Sequence, residues 1–333
     1  MRRALLPVGL LLLLAACTAT PRIPLEQKQR GMSFAAARPP RHYGTDTSAQ
    51  SLKKLQALGV NWISITPFGF HRETPELRWG GNVWESEESL VAVTKQAHDL
   101  GIRVLLKPHV WSRNEKAMES WTADDWRRYL ADYERFIQHY ATVGRDAGVD
   151  AISVGNEQKL STRFEPEWRR IIASVRTIYK GPLTYGANFD EIFHVRFWDA
   201  LDWIGVSAYF PLVDAPRPSR EELVRAWHPI VKQLARLSRN QRKPIVFTEI
   251  GYRSVEGAAW RQWELPRDAP VNLKVQATAY EAFFEAVWPQ PWLAGAFPWK
   301  WFSHPEHSGP QSDEFEIENK PAEQVVAEHY RRR

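Results

Sequence analysis

The 333-residue chain alternates between two hydrophobic patterns. One is a short, near-continuous run of β-branched and aromatic residues. The other spaces apolar residues three and four apart among charges, which is the periodicity of an amphipathic helix. The first pattern occurs eight times, over 31–37, 61–68, 102–111, 149–157, 182–189, 201–210, 243–252 and 293–302. Between these runs, helices are predicted over 48–60, 85–101, 122–148, 165–181, 219–240 and 272–288. Gly59 and Gly101 stand where the first two must stop, and Thr122 stands as an N-cap ahead of acids in the next turn. The segment "DEIFHVRFWDA" after the fifth run carries the weakest helical pattern. Runs this uniformly apolar suit a parallel sheet buried on both faces. Eight strand–helix repeats in about 300 residues predict an α/β fold, a single (β/α)8 TIM barrel over residues 31–333. An open doubly wound sheet is the rival, but no glycine-rich phosphate fingerprint follows any run.

Ahead of the barrel the pattern changes. Arg2 and Arg3 precede an apolar stretch, Ala4 to Leu14, that is too short for a comfortable membrane span. Small residues and Cys17 follow. The stretch Leu14-Ala15-Ala16-Cys17 resembles a bacterial lipobox, with residues 1–16 as a lipoprotein signal peptide. That resemblance implies cleavage before Cys17, lipidation of its sulfur and anchorage to a membrane without spanning it. Residues 17–30 are polar and contain proline, and read as a tether. Thr18 rather than Asp follows the cysteine, which in Gram-negative cells resembles proteins sent to the outer membrane.

Composition narrows the chemistry. Cys17 is the only cysteine, so once it is modified the mature chain has no disulfide, no cysteine nucleophile and no Cys-ligated metal. The net charge of +5 falls to +3 when Arg2 and Arg3 leave with the signal. No basic stripe accompanies it, and we read a solvated surface with no nucleic-acid partner. The 16 tryptophans are a larger departure from ordinary usage. Most are expected in the core, but a flat apolar face with one donor also suits the CH face of a sugar.

In a barrel of this kind the active site lies at the C-terminal ends of the strands. Those ends carry Thr66, Lys107, His109, Asn156, Glu157, Asn188, Ser207, Tyr209, Glu249, Tyr252 and Trp299. The stretch "AISVGNEQ" poses the question most sharply. Gly155-Asn156-Glu157 is either a plain turn or a strand mouth delivering a carboxylate, and the concentration of polar groups at the other strand ends favours the mouth. Glu157 ends the fourth run and Glu249 stands near the end of the seventh, so the two converge from opposite sides of the barrel. Two carboxyls about 5–5.5 Å apart are the apparatus of a retaining glycosidase. Each Glu alone is equally well read as a structural acid paired with Lys107 or Arg253.

The motifs "SVGNEQ" and "VFTEIGYRS" resemble the Asn-Glu and Glu signatures of the clan A retaining (β/α)8 glycoside hydrolases over roughly residues 31–302. The stretch "YGTDTSAQSLKKLQALGVNWISITPFGF" is more narrowly similar to glycoside hydrolase family 113, whose characterised members are β-mannanases. The resemblance implies that Glu157 is the acid/base, Glu249 the nucleophile and Asn156 the donor to the substrate 2-hydroxyl. It implies a Tyr209 hydroxyl on the nucleophile, Trp299 as the floor of the sugar subsite, and His109 as a polar contact. Asn188 and Tyr252 complete the expected substrate-binding set. The implied function is a lipid-anchored retaining endo-glycosidase, β-1,4-mannan first, acting as a monomer with water and no cofactor. The alternatives are a non-catalytic carbohydrate-binding lipoprotein on the same barrel, or a clan A hydrolase for another β-glycan.

Weaker signals are set aside. His304, Glu306 and His307 lie close together but lack metal-ligand spacing, and no metal is expected. Ser64, Ser153 and Ser207 have no histidine placed to activate them. His71, Trp79 and Trp84, in or beside the loop after the second run, either border the cleft or anchor the loop.

Overall fold

Eight parallel strands form a closed ring: β1 (Gln29–Ala35), β2 (Trp62–Ile65), β3 (Arg103–Leu106), β4 (Ala151–Asn156), β5 (Leu183–Asn188), β6 (Ile204–Ser207), β7 (Ile245–Ile250) and β8 (Leu293–Pro298). The ring closes where β1 pairs with β8 through Gln29↔Gly295 and Arg30↔Ala296. The structure is a computed structural model describing residues 22–81, 83–304, 309 and 311–332. Cys17 and the signal segment lie outside the described residues, as do Glu306 and His307. Among the described residues no helix is long and apolar enough to cross a membrane.

Among the described residues, seven α-helices of eleven or more residues pack around the ring: α1 (Asp46–Ala57), α2 (Glu87–Asp99), α3 (Ala123–Ala147), α4 (Glu165–Ile178), α5 (Arg220–Gln241), α6 (Leu273–Ala286) and α7 (Pro321–Arg331). A short helical turn, Glu115–Glu119, precedes α3. Their ends follow the local chemistry. Thr122 caps α3 in a capping box with Asp125, and Gly148 closes it at φ 73°. Ser219 and Glu222 form the same box on α5. Between β5 and β6, where the helical pattern is weakest, no α-helix forms. Turns and one 3₁₀ segment, Trp198–Ala200, make the connection instead.

Side chains alternate across each strand, which sorts them into two layers. Trp62, Leu105, Ala151, Val246, Ala294 and Phe297 cluster inside the ring. The intervening residues, among them Ile63, Val104, Leu106, Ile152 and Phe247, face the helices and join the larger core. Trp126, Trp168, Trp198, Trp227, Trp292 and Trp301 are fully buried, so core filling accounts for these tryptophans.

Two expected strands are shorter than their apolar runs. The runs at 61–68 and 102–111 each contain a proline, Pro67 and Pro108, which has no N–H to give to the ladder. The barrel strands therefore end at Ile65 and Leu106, and the chain resumes beyond them as a separate sheet. Residues 68–71 pair in parallel with 109–112 and antiparallel with 78–79. This small sheet rises from the C-terminal mouth of the barrel.

The expected tether over 17–30 is also shorter. Ile23 N–H donates to Pro291 O at 2.7 Å, and Lys28 is buried with its Nζ on Gln290 O (2.8 Å) and Leu293 O (2.6 Å). Residues 23–28 are thus tied to the N-terminal end of the barrel, opposite the mouth. There Lys28 places its ammonium donors on two main-chain carbonyls, which compensates its burial.

Candidate active site

The end of β4 shows how a carboxylate is lifted out of a strand. The β4–β5 register slips between Ser153 and Asn156. Gly155 consequently faces the helix layer, where a Cβ would meet Trp168 at 2.7 Å and Tyr133 Oη at 2.9 Å. Asn156 turns inward against Gly186, at which any Cβ would overlap the Asn156 Oδ1. Glu157 then adopts φ 55°, with its N–H held by Gly186 O at 2.8 Å. A left-handed conformation on a non-glycine residue costs on the order of 1 kcal/mol or more and persists only where the surroundings over-determine it. The Gly-Asn-Glu stretch is therefore a strand mouth, and it delivers the carboxylate to the barrel opening.

Across the mouth, β7 supplies Glu249, which is buried. Lys107 lies two residues past Leu105 and so points into the barrel as Leu105 does. It is fully buried and makes a short ion pair and hydrogen bond to Glu249 Oε1. Tyr209 Oη donates to Glu249 Oε2 at 2.7 Å, and Asn156 Nδ2 lies 3.5 Å from Oε1. Burial pulls the Glu249 pKa up, but the charge and hydrogen bond of Lys107, with the Tyr209 hydroxyl, hold it below the ordinary carboxylate value.

Glu157 is displaced the other way. Burial, and then the negative charge of Glu249, push it up to about 8. At neutral pH one carboxyl is protonated and the other ionised. Each has the state that one of the two glycosidase roles demands. His109 sits beside them. Burial lowers its pKa to about 4, so its ring is neutral, and Asn156 Nδ2 donates to its Nδ1 at 2.7 Å. The Asn156 amide nitrogen is thereby held between His109 and Glu249.

Most of the strand-end residues converge. Trp299 stands near Lys107, whose Nζ lies 5.2 Å from the ring centroid. Asn188 is half-buried at the rim, where it lines a cavity of about 280 Å³ together with Glu157, His109 and Gln158. A second cavity of about 700 Å³ opens beside Trp299, Thr66 and Lys300.

Tyr252 does not join them. It is buried in the core with its ring edge-on to Tyr280 at 5.3 Å, because the chain beyond Ile250 turns back into the helix layer. Arg253, one conceivable partner for a structural Glu, pairs instead with Asp313 at 2.6 Å. Trp79 packs against Phe136 at 5.7 Å and anchors its loop. His71 packs between Trp121 and Tyr129 and reaches the wall of the cavity beside Glu157. Among the described residues no cluster could hold a metal ion.

Lys107 is the functional residue that sequence reasoning places at a strand end but leaves out of the site. Its signal is a lysine closing the run "VLLK", where an unpaired buried ammonium is unfavourable and an anionic partner is required.

Comparison with known proteins agrees with this geometry. The profile of Glycoside Hydrolase Family 113 matches residues 32–320. Among solved structures, a GH113 β-mannanase from Alicyclobacillus acidocaldarius shares 30% identity at a TM-score of 0.78, covering 91% of this chain and 97% of that one. A GH113 β-1,4-mannanase solved as a complex shares 26% identity at a TM-score of 0.78, covering 92% and 100%. A β-glucuronidase from Ruminococcus gnavus shares only 14% identity at a TM-score of 0.65, covering 91% of this chain and 50% of that one, and speaks to the barrel alone. No curated protein sequence matches.

Proposed function

The chain belongs to glycoside hydrolase family 113, and from that membership we propose that it hydrolyses β-1,4-linked mannan with retention at the anomeric carbon. The observation that carries the reading is the pair Glu157 and Glu249, set on opposite sides of one barrel mouth with pKa values displaced in opposite directions. In the first step a Glu249 oxygen bonds to the anomeric carbon as the glycosidic C–O bond breaks. Glu157 gives its proton to the leaving oxygen. In the second, the Glu157 carboxylate takes a proton from water, whose oxygen bonds to the same carbon and releases Glu249. Lys107 and Tyr209 keep Glu249 ionised and aimed, and Asn156 presents its amide to the sugar. Water is the only co-reactant.

The binding-only alternative has no observation in its favour, since both carboxylates are present and differently poised. The deciding experiment is a screen of residues 18–333 against β-1,4-mannan and other β-glycans, with products sized. Release of short manno-oligosaccharides supports the proposal. Cleavage of a different glycan moves the substrate but keeps the chemistry, and binding without cleavage replaces the enzyme with a lectin-like protein.

We further propose that the enzyme is an exported lipoprotein anchored through Cys17. What supports this is the sequence Leu14-Ala15-Ala16-Cys17. Residues 23–28 lie at the end of the barrel opposite the mouth, so a chain anchored there presents the mouth away from the membrane.

A further inference from the structure

The small sheet above the mouth has one face that seals the protein and one that does not. Its parallel register sets Phe68 beside His109 and Phe70 beside Trp111. Strand alternation puts these four on the same face. The opposite face carries Gly69, His71 and Val110, which are buried and close the sheet onto α3. Phe70 and Trp111 are nevertheless 45% and 51% exposed, with ring centroids 6.3 Å apart. Two large neighbouring aromatics left in water are unfavourable and mark a binding surface when they border a cleft.

That cleft is the cavity of about 700 Å³ whose inner end is Trp299. Trp84 and Phe302 line it too. Lys300 Nζ lies 5.5 Å from the Trp299 ring centroid and 4.9 Å from that of Phe302. Thr66 and Glu85 are the other polar side chains on its wall. Glu85 Oε2 accepts the Phe68 N–H at 3.3 Å. Burial pushes the Glu85 pKa to about 7, and its carboxyl stands on the cavity wall as a hydrogen-bonding group of the kind sugar hydroxyls require. Flat aromatic faces with a few convergent polar groups are what a chain of pyranose rings requires.

Direction follows from the chemistry. The leaving sugar must lie on the side of the proton donor Glu157. This cavity has Trp299 at its inner end and does not touch Glu157, so it lies on the glycone side.

We propose that this cleft binds further sugars of a β-linked chain on the glycone side, with Phe70 and Trp111 as their stacking platform and Glu85 as a hydrogen-bonding contact. The proposal rests on the glycosidase reading, and its test separates the two. Binding of mannohexaose is measured by calorimetry in a Glu249→Gln background, with and without Phe70→Ala and Trp111→Ala. The same pair of substitutions, in the active protein, is assayed on mannohexaose and on an aryl β-mannoside. The expected result is an affinity for mannohexaose about ten-fold weaker, and a kcat/KM that falls about ten-fold more on the hexasaccharide than on the aryl glycoside. Unchanged affinity overturns the platform. So does an equal fall on both substrates, which makes the aromatics structural, and so does a protein that binds no mannohexaose at all. Mannohexaose bound through Phe70 and Trp111 but never hydrolysed keeps the platform and removes the hydrolase reading.

Discussion

Lys107 and Glu249, 142 residues apart in sequence, form a buried ion pair at the centre of the barrel mouth. Removing one partner of such a pair leaves an uncompensated buried charge, a loss of about 3–5 kcal/mol. Lys107→Met should therefore lower the melting temperature markedly at neutral pH. Adding Glu249→Gln should restore much of it, because the stranded carboxylate is gone. In the Lys107→Met single variant the Glu249 pKa should rise, so the acidic limb of the kcat/KM profile should move to higher pH. An acidic limb that stays in place removes Lys107 from its positioning role.

Activity should depend on pH through both carboxyls. Glu157 must hold its proton to serve as acid, and its pKa is about 8. The rate on an unactivated glycan should fall as pH rises through about 8. Glu249 must be ionised and its pKa is held low, so the acidic fall should lie below the ordinary carboxylate range. An aryl glycoside with a leaving group that departs unprotonated should lose much less on the alkaline side in its first step. Identical alkaline limbs for glycan and aryl substrates contradict the assignment.

The two glutamates should fail differently. Glu249→Gln removes the nucleophile and should abolish turnover while binding survives. Glu157→Gln should slow glycan cleavage by about 10²–10⁴-fold and spare activated aryl glycosides far more. Azide should rescue Glu249→Ala and give a glycosyl azide of inverted configuration. An inverted azide from Glu157→Ala instead reverses the roles.

Gly186→Ala should act on the substrate through Asn156. The new methyl overlaps the Asn156 Oδ1 and lies 3.0 Å from Thr248 Oγ1, so the amide must leave its place between His109 and Glu249. The variant should fold and show the kcat/KM loss of Asn156→Ala. The double variant should be little worse than either, because both act on one contact. Additive losses place the effect elsewhere.

Cys17→Ser should abolish lipidation. The parent chain should partition with membranes and begin at Cys17, and the variant should not carry lipid. A parent found unmodified in the cytoplasm contradicts the anchored form.

Much of this site is legible in the amino-acid sequence. Local apolarity and period place eight strands and the order of their polar ends, because burial on both faces forces continuous apolar runs whatever the rest of the chain does. The N-cap at Thr122 and the stops at Gly59 and Gly101 are equally local. The side from which each strand end presents its residues is not legible there. By plain alternation Gly155 would face inward with Ala151 and Ser153, but the register slip beside β5 turns Asn156 inward instead. Tyr252 lies just past its strand end, two residues beyond Ile250, yet goes to the core, because Tyr280 on α6 offers it a packed edge. Lys107 gains its meaning only when β3 and β7 face each other across a closed ring. Phe70 and Trp111 become a platform only when Pro67 and Pro108 break their strands away from it. Strand identity is settled by neighbours in sequence. Convergence of side chains is settled by barrel closure and register, which depend on contacts between residues far apart in the chain.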